Sequence, residues 1–187
     1  MKYDIILAGV GGQGVLSVAA GIATGAMLQK LNVRQSEVHG MAQRGGAVMS
    51  HLRISDSDIP GDLIGLGSAD MVLSMEPLEA LRYLEYLKPE GKVVTASNPF
   101  VNIPDYPDEA RIIEQLESSG AALVIDAKAI ARESGNMRAA NMVMVGAASK
   151  YLPVDKEKIE EAIKNMFKSK GENIVEQNIA AFRLARG

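Results

Sequence analysis

The chain has 187 residues, of which 47% are hydrophobic and 23% are charged, and its formal net charge is −3. This length and balance are typical of one globular domain that buries its own core without disulfides or a structural metal. The chain has no cysteine, which excludes a disulfide scaffold, thiolate-bound iron–sulfur clusters and a cysteine nucleophile.

Charge and hydropathy argue against two further classes of partner. The charges of both signs are mixed along the chain and only 4% of residues are aromatic, which is not typical of a nucleic-acid binder. Asp4 and the glycines of 11–14 interrupt the N-terminal apolar run, and the next run, 15–28, is shorter than the ~20 residues that span a bilayer. We therefore expect a cytoplasmic protein that binds neither nucleic acid nor membrane.

Hydrophobic periodicity predicts strands that alternate with helices, which indicates an α/β fold. The predicted strands are 3–10, 33–38, 47–54, 71–75, 92–96 and 122–126. The predicted helices up to residue 133 are 15–31, 77–87, 109–119 and 127–133. Gly21 and Gly25 lie on one face of the first helix and predict a close approach to a neighbouring element. The sequence 88–91, Lys-Pro-Glu-Gly, is expected to end the second helix.

The C-terminal region, 139–187, is predicted to be helical. Residues 139–151 are apolar almost all round, as in a buried helix. Asp155 is a good N-cap for the next helix, which Gly171 separates from the last one. The next helix places apolar residues at helical spacing, namely Ile159, Ala162, Ile163, Met166 and Phe167. Without an internal repeat or a long linker, the chain is expected to form a single domain, 1–187.

The first candidate site is a glycine loop after the first predicted strand. Gly9, Gly11 and Gly14 match G-x-G-x-x-G in the required strand-to-helix context. Glycines allow a tight turn, and the free N–H groups of the helix start attract a phosphate or carboxylate. Glu37 is near the position of a ribose-binding acid, but residues 39–46 are not typical of a dinucleotide site. Alternatively, the glycines only let the helix pack on the sheet. The candidate binding residues are Gly9, Gly11, Gly12, Gln13 and Gly14.

The second candidate is the run 37–46, which combines an acid, an imidazole, an amide and a guanidinium with three glycines. Arg44 is able to hold a carboxylate through two hydrogen bonds. His39 is able to exchange protons near neutral pH. His39, Gln43 and Arg44 are therefore the candidate catalytic residues, and the alternative is a surface loop with incidental polar residues.

The third candidate follows from topology, because doubly wound sheets bind ligands beyond the carboxyl ends of their strands. Polar residues at those ends are Ser74, Glu76, Ser97, Asn98 and Asp126. Of these, Glu76 and Asn98 are candidate cofactor-binding residues. Glu76 and Asp126 have an alternative interpretation as helix N-terminal residues favoured by the helix dipole. Residues 141–146 are interpreted as core, with methionines as gap-fillers.

Together, the segments 9–14, 37–46, 76–82, 135–136 and 141–146 resemble the gamma-type module of 2-oxoacid:ferredoxin oxidoreductases. The form His-Gly-Met-Ala-Gln-Arg-Gly-Gly, 39–46, more narrowly resembles the beta subunit of indolepyruvate:ferredoxin oxidoreductases. The resemblance covers nearly the whole chain in order. It implies a three-layer α/β/α sandwich with a mostly parallel, mixed sheet and a Rossmann-like N-terminal strand, glycine loop and helix.

The resemblance implies a subunit of an enzyme that oxidatively decarboxylates indolepyruvate or another arylpyruvate. Such an enzyme uses thiamine diphosphate, coenzyme A (CoA), iron–sulfur clusters and ferredoxin, and it yields an acyl-CoA, carbon dioxide and reduced ferredoxin. This chain has no cysteine and no Gly-Asp-Gly followed by paired asparagines, the usual magnesium diphosphate signature. Thiamine diphosphate, magnesium and the clusters are therefore expected on a larger alpha-type partner subunit, with none bound by this chain alone. CoA is expected at a shared site.

Two other functional hypotheses remain open from the sequence. One is an independent nucleotide- or acyl-CoA-binding protein, and the other is an assembly module with an empty glycine loop. The isolated chain is also expected to form homodimers, because an uncovered apolar surface that normally faces a partner tends to self-associate.

Overall fold

The computed structural model describes residues 1–39, 45–118 and 120–187, without the side chain of His39. The strands in this part are β1 Lys2–Val10, β2 Asn32–His39, β3 Ala47–Ser55, β4 Ala69–Ser74, β5 Leu87–Ala96 and β6 Ala122–Ile125. The helices are α1 Val15–Leu28, α2 Pro77–Arg82, α3 Glu109–Ser118, α4 Ala127–Glu133, α5 Ala140–Ser149, α6 Lys156–Phe167 and α7 Glu172–Arg186. Among the helices of these three ranges, none combines the length and the apolar character needed to cross a membrane.

The strands form one six-stranded sheet in the order β2-β3-β1-β4-β5-β6. Strands β1, β4, β5 and β6 pair in parallel, whereas β3 runs antiparallel to both β1 and β2. The predicted α/β class with a mostly parallel, mixed sheet is confirmed. Because four neighbouring strands run the same way, their carboxyl ends meet at one edge, which we call the carboxyl edge.

The sheet is covered by helices on both faces, which confirms the predicted three layers. Ile5 and Leu7 of β1 belong to a large core that α1, α5, α6 and α7 complete. Ile6 points to the other face, where a smaller cluster lies. Farther along that face, Val93 of β5 packs against α2 and α3. Complete burial of such a side chain contributes roughly 1.5–3 kcal/mol, so this alternation decides which face each helix covers.

The loop between β3 and β4 lies at the opposite edge of the parallel strands and is held by polar side chains of β3. Arg53 Nε donates to Asp4 Oδ1 at 3.0 Å, and Arg53 Nη1 donates to Gly61 O at 2.7 Å. The Asp4 side chain is buried, where a charge requires a partner. His51 Nδ1 accepts from Ile64 N at 3.1 Å, and burial lowers the pKa of His51 and favours the neutral ring. The apolar side chains Val48, Leu52 and Ile54 of β3 face α1 on the other side of the sheet.

The prediction of one helix over 77–87 is wrong for its second half. Helix α2 ends at Arg82, the short 3-10 helix Leu84–Tyr86 follows, and β5 already begins at Leu87. Leu87 pairs with Ala69 of β4, after which the register shifts before the next pairs. Pairing across the sheet therefore prevails over the turn signal of 88–91, which now lies inside β5.

The other helix limits differ less from their predictions. Helix α1 ends at Leu28, and Lys30 follows with φ 63°. Asp155 occupies the N-cap of α6 as predicted, but its side chain makes no capping hydrogen bond. Its backbone N–H donates instead to Gln29 Oε1 at 2.8 Å, which connects the end of α1 to the start of α6.

Two helix crossings depend on glycine. A Cβ on Gly25 of α1 would lie 3.2 Å from Ile159 Cα of α6, which confirms the predicted close approach at this position. A Cβ on Gly146 of α5 would lie 2.2 Å from the Phe182 carbonyl oxygen of α7. At Gly21 the nearest atom would be 3.7 Å away, which is ordinary contact. Gly146 is therefore the tightest of these positions.

We expect Gly146→Ala to lower the free energy of unfolding by roughly 1–3 kcal/mol, because the new methyl group pushes α7 away from α5. Gly21→Ala is the matched control, since it gains up to about 1 kcal/mol of helix propensity without a clash. Chemical denaturation of the two variants measures the difference. A Gly146→Ala variant as stable as Gly21→Ala would contradict the crossing described here.

Candidate functional site

The glycine loop has a backbone that only glycine adopts easily at two positions. Gly12 has φ 101° and Gly14 has φ 80°. Gly11 N donates to Gly46 O at 2.8 Å, and Gly45 N donates to Gly11 O at 3.3 Å. The end of the run 37–46 therefore lies against the glycine loop, so two of the predicted segments meet at the carboxyl edge.

Gln13 fixes the loop through both ends of its side-chain amide. Its Oε1 accepts from Val10 N at 2.8 Å, and its Nε2 donates to Met75 O at 3.3 Å. Gly9 lets α1 start close to the sheet, because a Cβ there would lie 2.7 Å from Val15 Cγ2. The packing role proposed as the alternative for the glycines therefore applies to Gly9.

The starts of α1 and α5 meet beside this loop. Gly14 is the N-cap of α1 and has no side chain, so it gives the first turn of this helix no side-chain cap. Asn141, in the first turn of α5, donates from Nδ2 to Gly14 O at 3.4 Å. A Cβ on Gly14 would lie 2.2 Å from that nitrogen. The N-terminal ends of two helices, each carrying partial positive charge, thus converge.

A cleft of about 280 Å³ opens at this point, between the glycine loop, the ends of β4 and β5, and the starts of α4 and α5. Its lining residues are Gln13, Met75, Ala96, Asn98, Pro99, Phe100, Ala127, Lys128, Ala140 and Asn141. Of the predicted binding residues, Gln13 and Asn98 line it. A wider groove of about 760 Å³ between α4, α6 and α7 contains none of the predicted site residues.

Asn98 and Asp126 build the start of α4 at one side of the cleft. Asp126 Oδ1 accepts from Ala129 N at 2.9 Å and from Asn98 Nδ2 at 3.1 Å, and these bonds hold the pKa of Asp126 below its usual value. Asn98 Oδ1 accepts from Lys128 N at 3.2 Å. Asp126 is thus a helix N-cap, the alternative proposed for it. The Lys128 side chain is exposed and adds a positive charge at the cleft.

Glu76 is 1% exposed, and its carboxylate makes hydrogen bonds within the chain. Its Oε2 accepts from Glu79 N at 2.9 Å and caps α2, while its Oε1 accepts from Phe100 N at 3.3 Å and from the Tyr106 hydroxyl. Burial and this bond raise the pKa of Tyr106. Glu76 does not line the cleft, and its hydrogen bonds agree with the helix-terminal interpretation.

The predicted catalytic residues fall largely outside the described part of the chain. The backbone of His39 ends β2, opposite Val48, but its side chain and the whole of Gln43 and Arg44 lie outside the described residues. Their catalytic role stays a prediction.

The strand order bears directly on the dinucleotide alternative. In a dinucleotide fold the acid stands at the end of the strand parallel to and next to β1. Here β3 separates β2 from β1, and Glu37 pairs with Ser50 of β3. Two strand spacings place Glu37 on the order of 10 Å from the β1 ladder. The usual ribose-binding arrangement is therefore absent from the described residues.

Two polar residues of the cleft are not among the predicted site residues. The sequence analysis places Asn141 in the core with the apolar residues that follow it, although a polar residue in the first turn of an apolar helix is a usable signal. Lys128 carried no local signal, because its place at the cleft follows from the connection between β6 and α4.

Comparison with known proteins agrees with the resemblance. Residues 4–187 match the family described as pyruvate ferredoxin/flavodoxin oxidoreductase. The indolepyruvate oxidoreductase subunit IorB of Thermococcus kodakarensis is 37% identical, over 98% of this chain and 94% of its own length.

Solved structures share the fold. The gamma subunit of a keto/oxoacid ferredoxin oxidoreductase from Geobacter sulfurreducens has a TM-score of 0.70 and 25% identity, over 98% of this chain and 96% of that chain. The 2-oxoglutarate:ferredoxin oxidoreductase of Magnetococcus marinus has a TM-score of 0.76 and 23% identity, over 99% of this chain and 30% of that chain. With the family match over nearly all its length, the chain belongs to the pyruvate ferredoxin/flavodoxin oxidoreductase family.

Proposed function

We propose that the chain is the small subunit of a cytoplasmic, CoA-dependent 2-oxoacid:ferredoxin oxidoreductase that acts on indolepyruvate or another arylpyruvate. The observation that carries the proposal is the cleft at the carboxyl edge, where the start of α5 and the exposed Lys128 side chain would attract an anion and the start of α1 lies beside them. The preference for an aryl substrate is supported by the 37% identity to the IorB subunit.

The redox groups belong to another subunit in this proposal. The chain has no cysteine to bind an iron–sulfur cluster. In the described part of the chain, no three His, Cys, Asp or Glu side chains are grouped so that they could hold a metal ion. A larger alpha-type partner would therefore carry thiamine diphosphate, magnesium and the clusters, and would pass electrons to ferredoxin. The carbon chemistry is supplied by the thiamine cofactor.

The role of this chain is to bind and orient an anionic group of CoA or of the substrate. The Magnetococcus marinus enzyme was solved with 2-oxoglutarate, CoA and succinyl-CoA bound, which supports these two ligands as candidates. The cleft volume of about 280 Å³ is at the lower end of small-molecule sites, so it would hold only a part of CoA. The remainder would lie against the partner subunit.

Reconstitution tests the proposal. Mixing the chain with its cluster-bearing partner should give ferredoxin reduction that depends on both the 2-oxo acid and CoA, and each subunit alone should give none. Comparing kcat/KM for indolepyruvate, pyruvate and 2-oxoglutarate identifies the substrate. Oxidation of a 2-oxo acid by the purified chain alone would refute the proposal. Tight binding of NAD or FAD in calorimetry would favour the independent nucleotide-binding protein.

Lys128→Ala should raise the KM for one anionic substrate of the reconstituted enzyme by roughly five- to tenfold with kcat unchanged, because it removes attraction shared by ground state and transition state. The substrate whose KM rises is the one that places its anion in the cleft. Lys168→Ala is the control, since Lys168 lies in the 3-10 helix after α6. Unchanged KM values for both CoA and the 2-oxo acid would contradict this role of Lys128.

Gly12→Val should abolish most turnover while the subunits still assemble, because the side chain enters the space in front of the glycine loop. Gly67→Val is the matched control: both glycines have positive φ and no atom within 4 Å of an added Cβ, but Gly67 lies in the loop at the opposite edge. Both variants should lose similar stability, roughly 1–2 kcal/mol, from backbone strain. Equal turnover by the two variants would support a purely structural glycine loop.

A further inference from the structure

The connection between β5 and α3, residues 97–108, exposes apolar side chains in a short stretch. Phe100 is 42% exposed, Val101 64% and Ile103 40%. Single exposed apolar residues are ordinary, but several together on a monomer surface mark an interaction site. We call Phe100, Val101 and Ile103 the apolar surface of this connection.

This connection is held in place by hydrogen bonds from several elements. The buried carboxylate of Glu76 accepts from Phe100 N at 3.3 Å and from the Tyr106 hydroxyl. Asn102 Nδ2 donates to Gly45 O at 2.7 Å, so the connection also contacts the segment that enters β3. Because these bonds already fix the backbone, a partner would bind without the entropy loss of ordering a loop.

The apolar surface meets the cleft at Phe100. Phe100 lines the cleft together with Asn98 and Pro99, and its side chain is also 42% exposed. A partner that covers Phe100 therefore also reaches the mouth of the cleft. Its presence would exclude water and strengthen the attraction between Lys128 and a bound anion.

Charges at one end of the connection indicate the chemistry of the partner. Asp105 and Asp108 are exposed after the apolar residues, and Glu109 begins α3. An apolar centre with a charged rim is the usual anatomy of a specific protein interface. The complementary surface would be an apolar pocket with lysine or arginine on the side that faces these carboxylates.

We propose that Phe100, Val101 and Ile103 are the docking surface for the cofactor-bearing partner subunit of the oxidoreductase, an inference that rests on the proposed function. Two observations favour the cofactor-bearing subunit as the partner that binds this surface. The chain lacks the cysteines that a cluster requires, so the cofactors must approach the cleft from another polypeptide. In the Magnetococcus marinus enzyme the same fold spans only 30% of a longer chain, so there it is one part of a larger molecule.

Val101→Asp in the full-length chain tests the surface, with Leu66→Asp as the control. Leu66 is 61% exposed, but it lies in the loop between β3 and β4 at the opposite edge of the sheet. We expect Val101→Asp to weaken binding of the cluster-bearing subunit about tenfold or more, as for an interface hot spot, and Leu66→Asp to change it less than about twofold. Biolayer interferometry measures the affinity, and an unchanged melting temperature shows that each variant is folded.

The outcomes separate this inference from the proposed function. If wild-type subunits form no active enzyme, the proposed function fails. If they do, but Val101→Asp binds the partner as tightly as the wild type, only the docking surface is refuted. The docking surface is refuted equally if light scattering shows that Val101→Asp dissociates a homodimer while its affinity for the partner is unchanged. A tenfold loss of affinity that excess partner overcomes, with wild-type kcat restored, is the expected result.

Discussion

The side-chain amide of Gln13 connects the ends of two parallel strands, and the cleft depends on this connection. Beyond the last ladder bond, the amide of Val10 and the carbonyl of Met75 require partners, and Gln13 supplies both. Gln13 reaches them only because the glycines around it adopt positive φ. The same turn sets where α1 begins, and Asn141 then brings the start of α5 beside it. One tight turn thus orients the N-terminal ends of two helices toward the same point.

A second buried polar group fixes the other wall of the cleft. The carboxylate of Glu76 is nearly inaccessible to water, so it is stable only with several donors. Those donors come from α2 and from the connection between β5 and α3. Consequently the hydrogen bonds of this one carboxylate help to hold Phe100, which lines the cleft, and the apolar residues that follow it. This arrangement explains how an irregular connection presents a defined surface without regular secondary structure.

The position of β3 decides which ligands the glycine loop suits. A glycine loop between a strand and a helix is compatible with dinucleotides, CoA or a carboxylate. Insertion of an antiparallel strand between β1 and β2 removes Glu37 from the place of a ribose-binding acid. The same insertion brings Gly46, which directly precedes β3, against the loop at Gly11. This strand order argues against a dinucleotide fold and supports the proposal that the loop is one side of a composite site.

The sequence by itself determined the features that depend on local periodicity and local backbone freedom. These are the α/β class, most element positions, the core face of α6, and the glycines of the β1–α1 turn. Motifs in their order along the chain were also sufficient to indicate the family. Only the tertiary structure decided the strand order, the start of β5 at Leu87, the partners of Glu76, and the places of Lys128 and Asn141 at the cleft. Each of these results from contacts between residues distant in the chain, whose pairing energy exceeds local preference and leaves no periodic signal.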